Sequence, residues 1–264
     1  MAMLLPHHRK SLARAVARLK ANPNVLAVIL AGSLAHGYAR RGSDIDLVII
    51  VSDREYRRRI REGALGYYET ESCDYKGGYV DGKYSSLAFL EAVASRGSDP
   101  ARFAFRDATV VFSRIRPIRG LLSRIVRYPA RERDRRIARF LGQLEAWKWY
   151  YYESLKVRDA YLRMVALSKL VLFGCRLILA RNGSLYPYHK WMLREVEKQK
   201  RRPRGVTALI RRMLARPEPK LVERFTSMVK RYAGTGKPDQ GWPGQFMRDS
   251  ELNWMDGNPP VDDL

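Results

Sequence analysis

Two apolar runs, each about as long as a β-strand, constrain this sequence more than any other feature. Residues 25–32 (VLAVILAG) and 43–51 (SDIDLVIIV) are rich in Val and Ile and almost continuously apolar. Because polar and apolar residues hardly alternate in them, they predict strands that are buried on both faces of a sheet. The second run nevertheless begins with two carboxylates, Asp44 and Asp46, so the sequence puts paired negative charges at the edge of its core.

The first half of the chain alternates strand and helix patterns. Helices are predicted over 11–20, 34–39, 53–65 and 86–97, and further strands over 77–86 and 108–113. The predicted fold class is therefore α+β, with a mixed β-sheet flanked by helices forming an N-terminal domain over residues 1–116.

The second half contains no strand pattern between Pro117 and about Tyr232. Helices are predicted over 119–128, 132–157, 159–181, 188–199, 204–215 and 219–232. These segments predict an all-α helical bundle over residues 117–264. The Gly- and Pro-rich end of this domain turns acidic, and its aromatic residues favour an ordered strap over a mobile tail. The predicted anchors are Trp242, Phe246 and Trp254.

The chain is strongly basic, with a formal net charge of +23 over 264 residues and a pI of about 10.3. Such a charge attracts polyanions, including nucleotides, tRNA and other nucleic acids. Arginine-rich composition or ion-pair networks would explain it equally well. No apolar run is long enough to cross a bilayer, and the N-terminus lacks a signal-peptide pattern, so a cytoplasmic protein without a membrane partner is expected. The sequence carries no signal for the oligomeric state.

The paired carboxylates require a counter-charge. On a strand, Asp44 and Asp46 point to the same side, with Cα atoms about 6.6 Å apart, and repel each other. A divalent cation such as Mg²⁺ relieves that repulsion, and two such ions form a clamp for phosphoryl chemistry. The alternative is that Asp44 caps a turn and Asp46 pairs with an arginine. Upstream, Gly32-Ser33 follows a buried strand and offers backbone N–H groups and a hydroxyl to phosphate oxygens.

The combination of these two features resembles the signature of the DNA polymerase β-like nucleotidyltransferase superfamily, including its antibiotic-modifying and minimal members. The matching positions are Gly32, Ser33, Ala35, Gly37, Ser43, Asp44, Ile45, Asp46 and Leu47. The resemblance implies transfer of a nucleoside monophosphate from an NTP, with ATP preferred, to an acceptor hydroxyl. It also implies two Mg²⁺ ions, or Mn²⁺ in their place, on three carboxylates, with Gly32, Ser33 and Ser43 at the nucleotide.

The third carboxylate implied by the resemblance has two candidates. Asp81 stands in an alternating strand pattern and is favoured over Asp74, which lies near a predicted turn. Asp44, Asp46 and Asp81 are thus the expected catalytic and metal-binding residues. Two lysines of the helical half, Lys169 and Lys190, are candidates for the nucleotide phosphates. Lys169 could instead extend its charge to water from a packed stem, and Lys190 could simply pack in an aromatic loop.

The acceptor remains open between a small, antibiotic-like molecule and RNA such as tRNA. The positive charge favours RNA, whereas the layout of an α+β half followed by helices is similar to the small-molecule branch. The alternative function is a non-catalytic module that binds nucleotide or nucleic acid.

Overall fold

The computed structural model describes residues 4–116, 118–234 and 241–257. The chain divides into two compact units, Met1–Arg127 (unit 1) and Tyr128–Leu264 (unit 2). The division into a catalytic domain over 1–116 and a helical domain over 117–264 stays a prediction. Helix α6 (Ile118–Ile125) belongs to unit 1, where it packs against α4 (Leu87–Arg96).

Unit 1 is built on a mixed sheet, as predicted, and this sheet has five strands. Its strands are β1 (Val25–Leu30), β2 (Ile45–Val51), β3 (Gly66–Glu69), β4 (Val80–Ser85) and β5 (Thr109–Ser113). Their order across the sheet is β3-β4-β2-β1-β5. Strands β2 and β4 run parallel, and the other three pairs are antiparallel. Strand β3 was missed because it has only four residues, GYYE, at the sheet edge.

The two central strands are covered on both faces, which explains their continuous apolar sequence. On one face, Ile45, Leu47 and Ile49 pack with α1 (Pro6–Lys20). On the other, Val48 and Ile50 pack with residues of α4 and α6. The remaining helices of the described part of unit 1 are α2 (Gly32–Ala35), α3 (Asp53–Arg61) and α5 (Asp99–Phe103). Helix α2 is shorter than predicted, and the one-turn helix α5 was missed because five residues carry no periodicity.

The secondary-structure elements in the described part of unit 2 are all helices, as predicted. Its helices are α7 (Arg133–Lys156), α8 (Ala160–Arg181), α9 (Met192–Lys198), α10 (Val206–Ala215), α11 (Pro219–Ala233) and α12 (Gly241–Phe246). Helices α7 and α8 form the largest contact, and the Asp159 side chain caps α8 by accepting a bond from the Leu162 N–H. A single apolar core contains residues of all the helices from α7 through α11. No helix in the described ranges of the whole chain is long and apolar enough to span a membrane.

The segment from Gly241 to Ser250 packs along α7. The Phe246 ring lies 6.2 Å from that of Trp147, and the Asp249 carboxylate pairs with Arg139 at 2.8 Å. Ser250 Oγ accepts a further bond from the Gln143 side-chain amide at 2.8 Å. The strap over the whole C-terminal segment stays a prediction. Trp254 is 58% exposed and so does not act as an anchor. The predicted acidic end, over residues 258–264, lies outside the described residues.

Candidate active site

The site begins with a row of residues that crosses the sheet. Asp46 of β2 stands directly beside Asp81 of the parallel strand β4, so the two side chains leave the same face. On the other side of Asp46, its carbonyl accepts a 2.9 Å bond from the Ala31 N–H at the end of β1. The row therefore brings two carboxylates next to the turn that starts with Gly32.

The backbone at Gly32 approaches Asp46 more closely than any other residue type would allow. Gly32 has φ +62°, and a Cβ atom added there would lie 1.8 Å from Asp46 Oδ2. The next residue, Ser33, donates its N–H to the same oxygen at 3.4 Å. Glycine is therefore required both by its left-handed φ and by the space that the carboxylate occupies.

The hydroxyl of Ser33 is buried at this turn. Among the described residues it has no hydrogen-bond partner. A buried hydroxyl without a partner is costly, because it has lost water and gained nothing in return. Ser33 is therefore suited to a ligand that brings oxygen atoms into the turn.

Asp44 lies just before β2, two residues from Asp46. The Tyr79 hydroxyl hydrogen-bonds to the Asp44 carboxylate, and this bond raises the pKa of the phenol. Ser43 holds the preceding turn, since its Oγ accepts the Arg40 N–H at 2.8 Å and its carbonyl accepts the Tyr75 hydroxyl at 2.8 Å. Its part in nucleotide binding stays a prediction.

The two candidates for the third carboxylate lie in different surroundings. Asp81 is exposed and in register with Asp46. Asp74 pairs with Lys10 at 2.8 Å and Arg14 at 3.3 Å, both on α1, and the hydrogen bond from Lys10 lowers the pKa of its carboxyl group. Only Asp81 therefore shares the sheet row of Asp46.

The three carboxylates supply the oxygen ligands that a hard cation prefers, but they are not yet grouped as a metal site. Asp44, Asp46 and Asp81 offer the oxygen ligands that Mg²⁺ prefers, beside a glycine turn that leaves room for phosphate. Across the part of the chain that the structure describes, no three His, Cys, Asp or Glu side chains are grouped closely enough to hold a metal ion. The carboxylate oxygens are suitable ligands for magnesium, but the side chains must move closer together to enclose an ion.

The sequence pattern of the nucleotidyltransferase domain family matches residues 10–173. The chain belongs to this family. The match includes every strand of the sheet and continues through α7 into α8.

Among solved structures, the chain is similar to a nucleotidyltransferase-like protein from Exiguobacterium sibiricum 255-15. The TM-score is 0.49 and the sequence identity 11%, over 92% of this chain and 80% of that one. A search of curated protein sequences finds no match.

The turn that carries Gly32 and Ser33 has a structural support that the sequence did not predict. The His36 side chain, 1% exposed, follows α2, and its Nδ1 lies 3.2 Å from Asp107 Oδ2. Its ring lies 4.9 Å from that of Phe103 in α5. Asp107 has φ +64°, a strained conformation for a non-glycine residue. These contacts fix the turn that carries Gly32 and Ser33.

The position of His36 between Ala35 and Gly37 was the one sequence feature that could have indicated its role at the turn. Nothing near Asp107 in the sequence indicated that it pairs with His36.

The two lysines proposed for the nucleotide lie in unit 2. Lys169 of α8 is half-buried, and its Nζ lies 5.8 Å from the centre of the Trp147 ring. Lys190 is exposed in a 3₁₀ turn, with its Nζ 5.4 Å from the Trp191 ring. Neither forms an ion pair with a residue in the described ranges. Their contact with the nucleotide stays a prediction.

Proposed function

We propose that this nucleotidyltransferase transfers a nucleoside monophosphate from an NTP, with ATP preferred, to an acceptor hydroxyl. The acceptor oxygen forms a bond to the α-phosphorus, the bond from that phosphorus to the bridging oxygen breaks, and pyrophosphate leaves. The observation that carries the proposal is the in-register pair of Asp46 and Asp81 beside the Gly32 turn.

Asp44, Asp46 and Asp81 would hold two Mg²⁺ ions, for which Mn²⁺ could substitute. When bound, the ions neutralise phosphate charge and lower the pKa of an oxygen nucleophile. The part played by the chain itself is to keep the carboxylates on one face. The N–H of Ser33 and the bond from Tyr79 orient Asp46 and Asp44 for this purpose.

Asp81 is proposed as the general base. It is the exposed member of the row, so an acceptor can reach it from solvent. Its carboxylate would take the proton of the acceptor hydroxyl as the new phosphate ester forms. On the nucleotide side, the partnerless hydroxyl of Ser33 would donate to a phosphate oxygen, with Gly32 leaving space for it.

The charge of unit 2 favours RNA over a small cationic acceptor. Residues 198–216 contain eight Lys and Arg residues and no Asp or Glu. Three of the eight pair with flanking glutamates. The others are exposed and form no ion pair with a described residue: Lys200, Arg201, Arg202, Arg204 and Arg212. Such a surface supports binding to a phosphate backbone. A small-molecule acceptor remains the second possibility for the same reaction.

The second candidate function is a binding module without turnover. It is favoured by one observation: the carboxylates of the described chain are not grouped as a metal site. Titration calorimetry with a non-hydrolysable ATP analogue, with and without Mg²⁺, separates the two. A binding module holds the analogue equally well in both conditions, whereas the proposed enzyme requires the ion.

The decisive test is incorporation of α-labelled nucleotide by wild type and Asp46→Asn. The change is isosteric, so the fold should persist while transfer falls by about 10²- to 10³-fold, the scale of losing one main electrostatic group of an active site. Asp53→Asn, on an exposed carboxylate of α3, is the control and should retain activity. Comparable transfer by Asp46→Asn and wild type would refute the proposal.

A further inference from the structure

An exposed aromatic pair lies on the edge of the sheet. Tyr68 of β3 is 67% exposed, and its ring centre lies 5.5 Å from that of Tyr79, with the planes 33° apart. Neither ring belongs to the apolar cores of unit 1. Cross-strand stacking helps to hold a short edge strand, but that role does not require so much exposed ring surface.

The pair extends the carboxylate row. Tyr68 stands directly opposite Asp81 in the antiparallel register of β3 and β4. Asp81 in turn stands beside Asp46, so the side chains of all three residues leave the same face. Tyr79 precedes Asp81 by two residues and reaches Asp44 through its hydroxyl. An aromatic surface therefore adjoins the proposed catalytic carboxylates on the side away from Gly32.

The net charge of the chain, together with Lys83, favours one type of ring-bearing ligand. Lys83 follows Asp81 by two residues on the same face, is exposed, and forms no ion pair within the described ranges. The chain as a whole carries +23. A cationic sugar would be repelled at long range, whereas a nucleic acid would be attracted. Aromatic side chains stack on the bases of single strands, because every base has a π-face.

We propose that Tyr68 and Tyr79 bind the terminal nucleobase of a single-stranded RNA, whose 3′ hydroxyl is the acceptor of the transfer. This inference rests on the proposed function and names its acceptor class. The base stacks on the tyrosine pair, and the ribose that carries it lies beside Asp81. Along this row of the sheet, the bound nucleobase lies at one end on Tyr68, Asp81 comes next, and the turn at Gly32 lies at the other end.

The test uses a short unstructured oligoribonucleotide with 2-aminopurine at its 3′ end, whose fluorescence is quenched when the base stacks. It is titrated with protein in Mg²⁺ without NTP, so binding is measured independently of transfer. Wild type should quench the probe, and Tyr68→Ala should lower the affinity by about tenfold. Tyr68→Phe keeps the ring and should bind like wild type. Tyr161→Ala is the matched control, since Tyr161 is 78% exposed in unit 2.

Placing 2-aminopurine at an internal position identifies the end that is bound. Quenching that depends on Tyr68 at the 3′ position but not at the internal one supports the proposal. Equal affinity of Tyr68→Ala and wild type overturns it, and so does transfer to a small molecule by an enzyme that leaves RNA unbound. Tyr68-dependent quenching in a protein that transfers no nucleotide would instead refute the proposed function and leave the binding surface standing.

Discussion

The α-carbon of Gly32 lies so close to Asp46 that a Cβ atom there would stand 1.8 Å from the carboxylate Oδ2. The two residues belong to one sequence motif, and each constrains which residue type the other position can hold. Asp46 requires a residue without a side chain at the turn, and the turn gives Asp46 a backbone N–H. The predictions below follow from this arrangement and its neighbours.

Gly32→Ala should abolish nucleotide transfer, because the new methyl group must displace the Asp46 carboxylate. Its cost to stability has a second component, since alanine at a left-handed φ costs about 1 kcal/mol. Gly63→Ala isolates that component: Gly63 has φ +63° and nothing within 4 Å of its added Cβ. We expect both variants to lose melting temperature, but only Gly32→Ala to lose activity. Similar activity in the two would show that the contact with Asp46 does not matter.

Asp81→Asn should reduce kcat by about 10²-fold or more, because the general base is lost. Asp74→Asn is the matched substitution on the competing carboxylate and should leave kcat unchanged. Its effect should be a small loss in melting temperature, since it weakens exposed pairs with Lys10 and Arg14. Steady-state kinetics of both variants tests which carboxylate is the general base. A larger loss of kcat in Asp74→Asn than in Asp81→Asn would reverse the assignment.

Lys169→Ala should weaken NTP binding by about tenfold, the equivalent of one charge-assisted hydrogen bond of ~1.5 kcal/mol. Lys169→Met keeps the apolar stem that packs in α8 and removes only the charge. Both variants should show the same loss of affinity by calorimetry, whereas only the alanine variant should lose melting temperature. Full NTP affinity in Lys169→Met would make the lysine a packing residue.

His8 should make stability depend on pH. Its side chain in α1 is fully buried, and burial lowers its pKa, with the charge of neighbouring His7 adding to the effect. Below about pH 6.5 the unfolded chain takes up a proton that the folded one resists. The free energy of unfolding should therefore fall between pH 7.5 and 5.5.

Denaturant unfolding at the two pH values measures this fall. His8→Gln should make it smaller, whereas the exposed His189→Gln should leave it as in wild type. The Tyr75 ring, 5.1 Å from His8, is neutral over this range and does not compete. An unchanged pH dependence in His8→Gln would assign the fall to other groups.

Local sequence determined much of this architecture. Strands β1 and β2 were predictable because a parallel or central strand must be apolar on both faces, and the helices of unit 2 because their apolar residues recur at helical spacing. Short elements such as β3 and α5 were missed, since four or five residues carry no period and depend on neighbouring elements for stability.

For the site, the sequence by itself determined the residues that are close along the chain: Gly32, Ser33, Asp44 and Asp46 belong to one motif, whose spacing reflects a strand, a turn and a second strand. Only the tertiary structure decided the rest. Strand register put Asp81 beside Asp46 and Tyr68 beside Asp81, while ion pairs with α1 drew Asp74 elsewhere. The reason is physical: register depends on hydrogen bonds between segments distant in sequence, and a shift of one residue would turn each side chain to the opposite face.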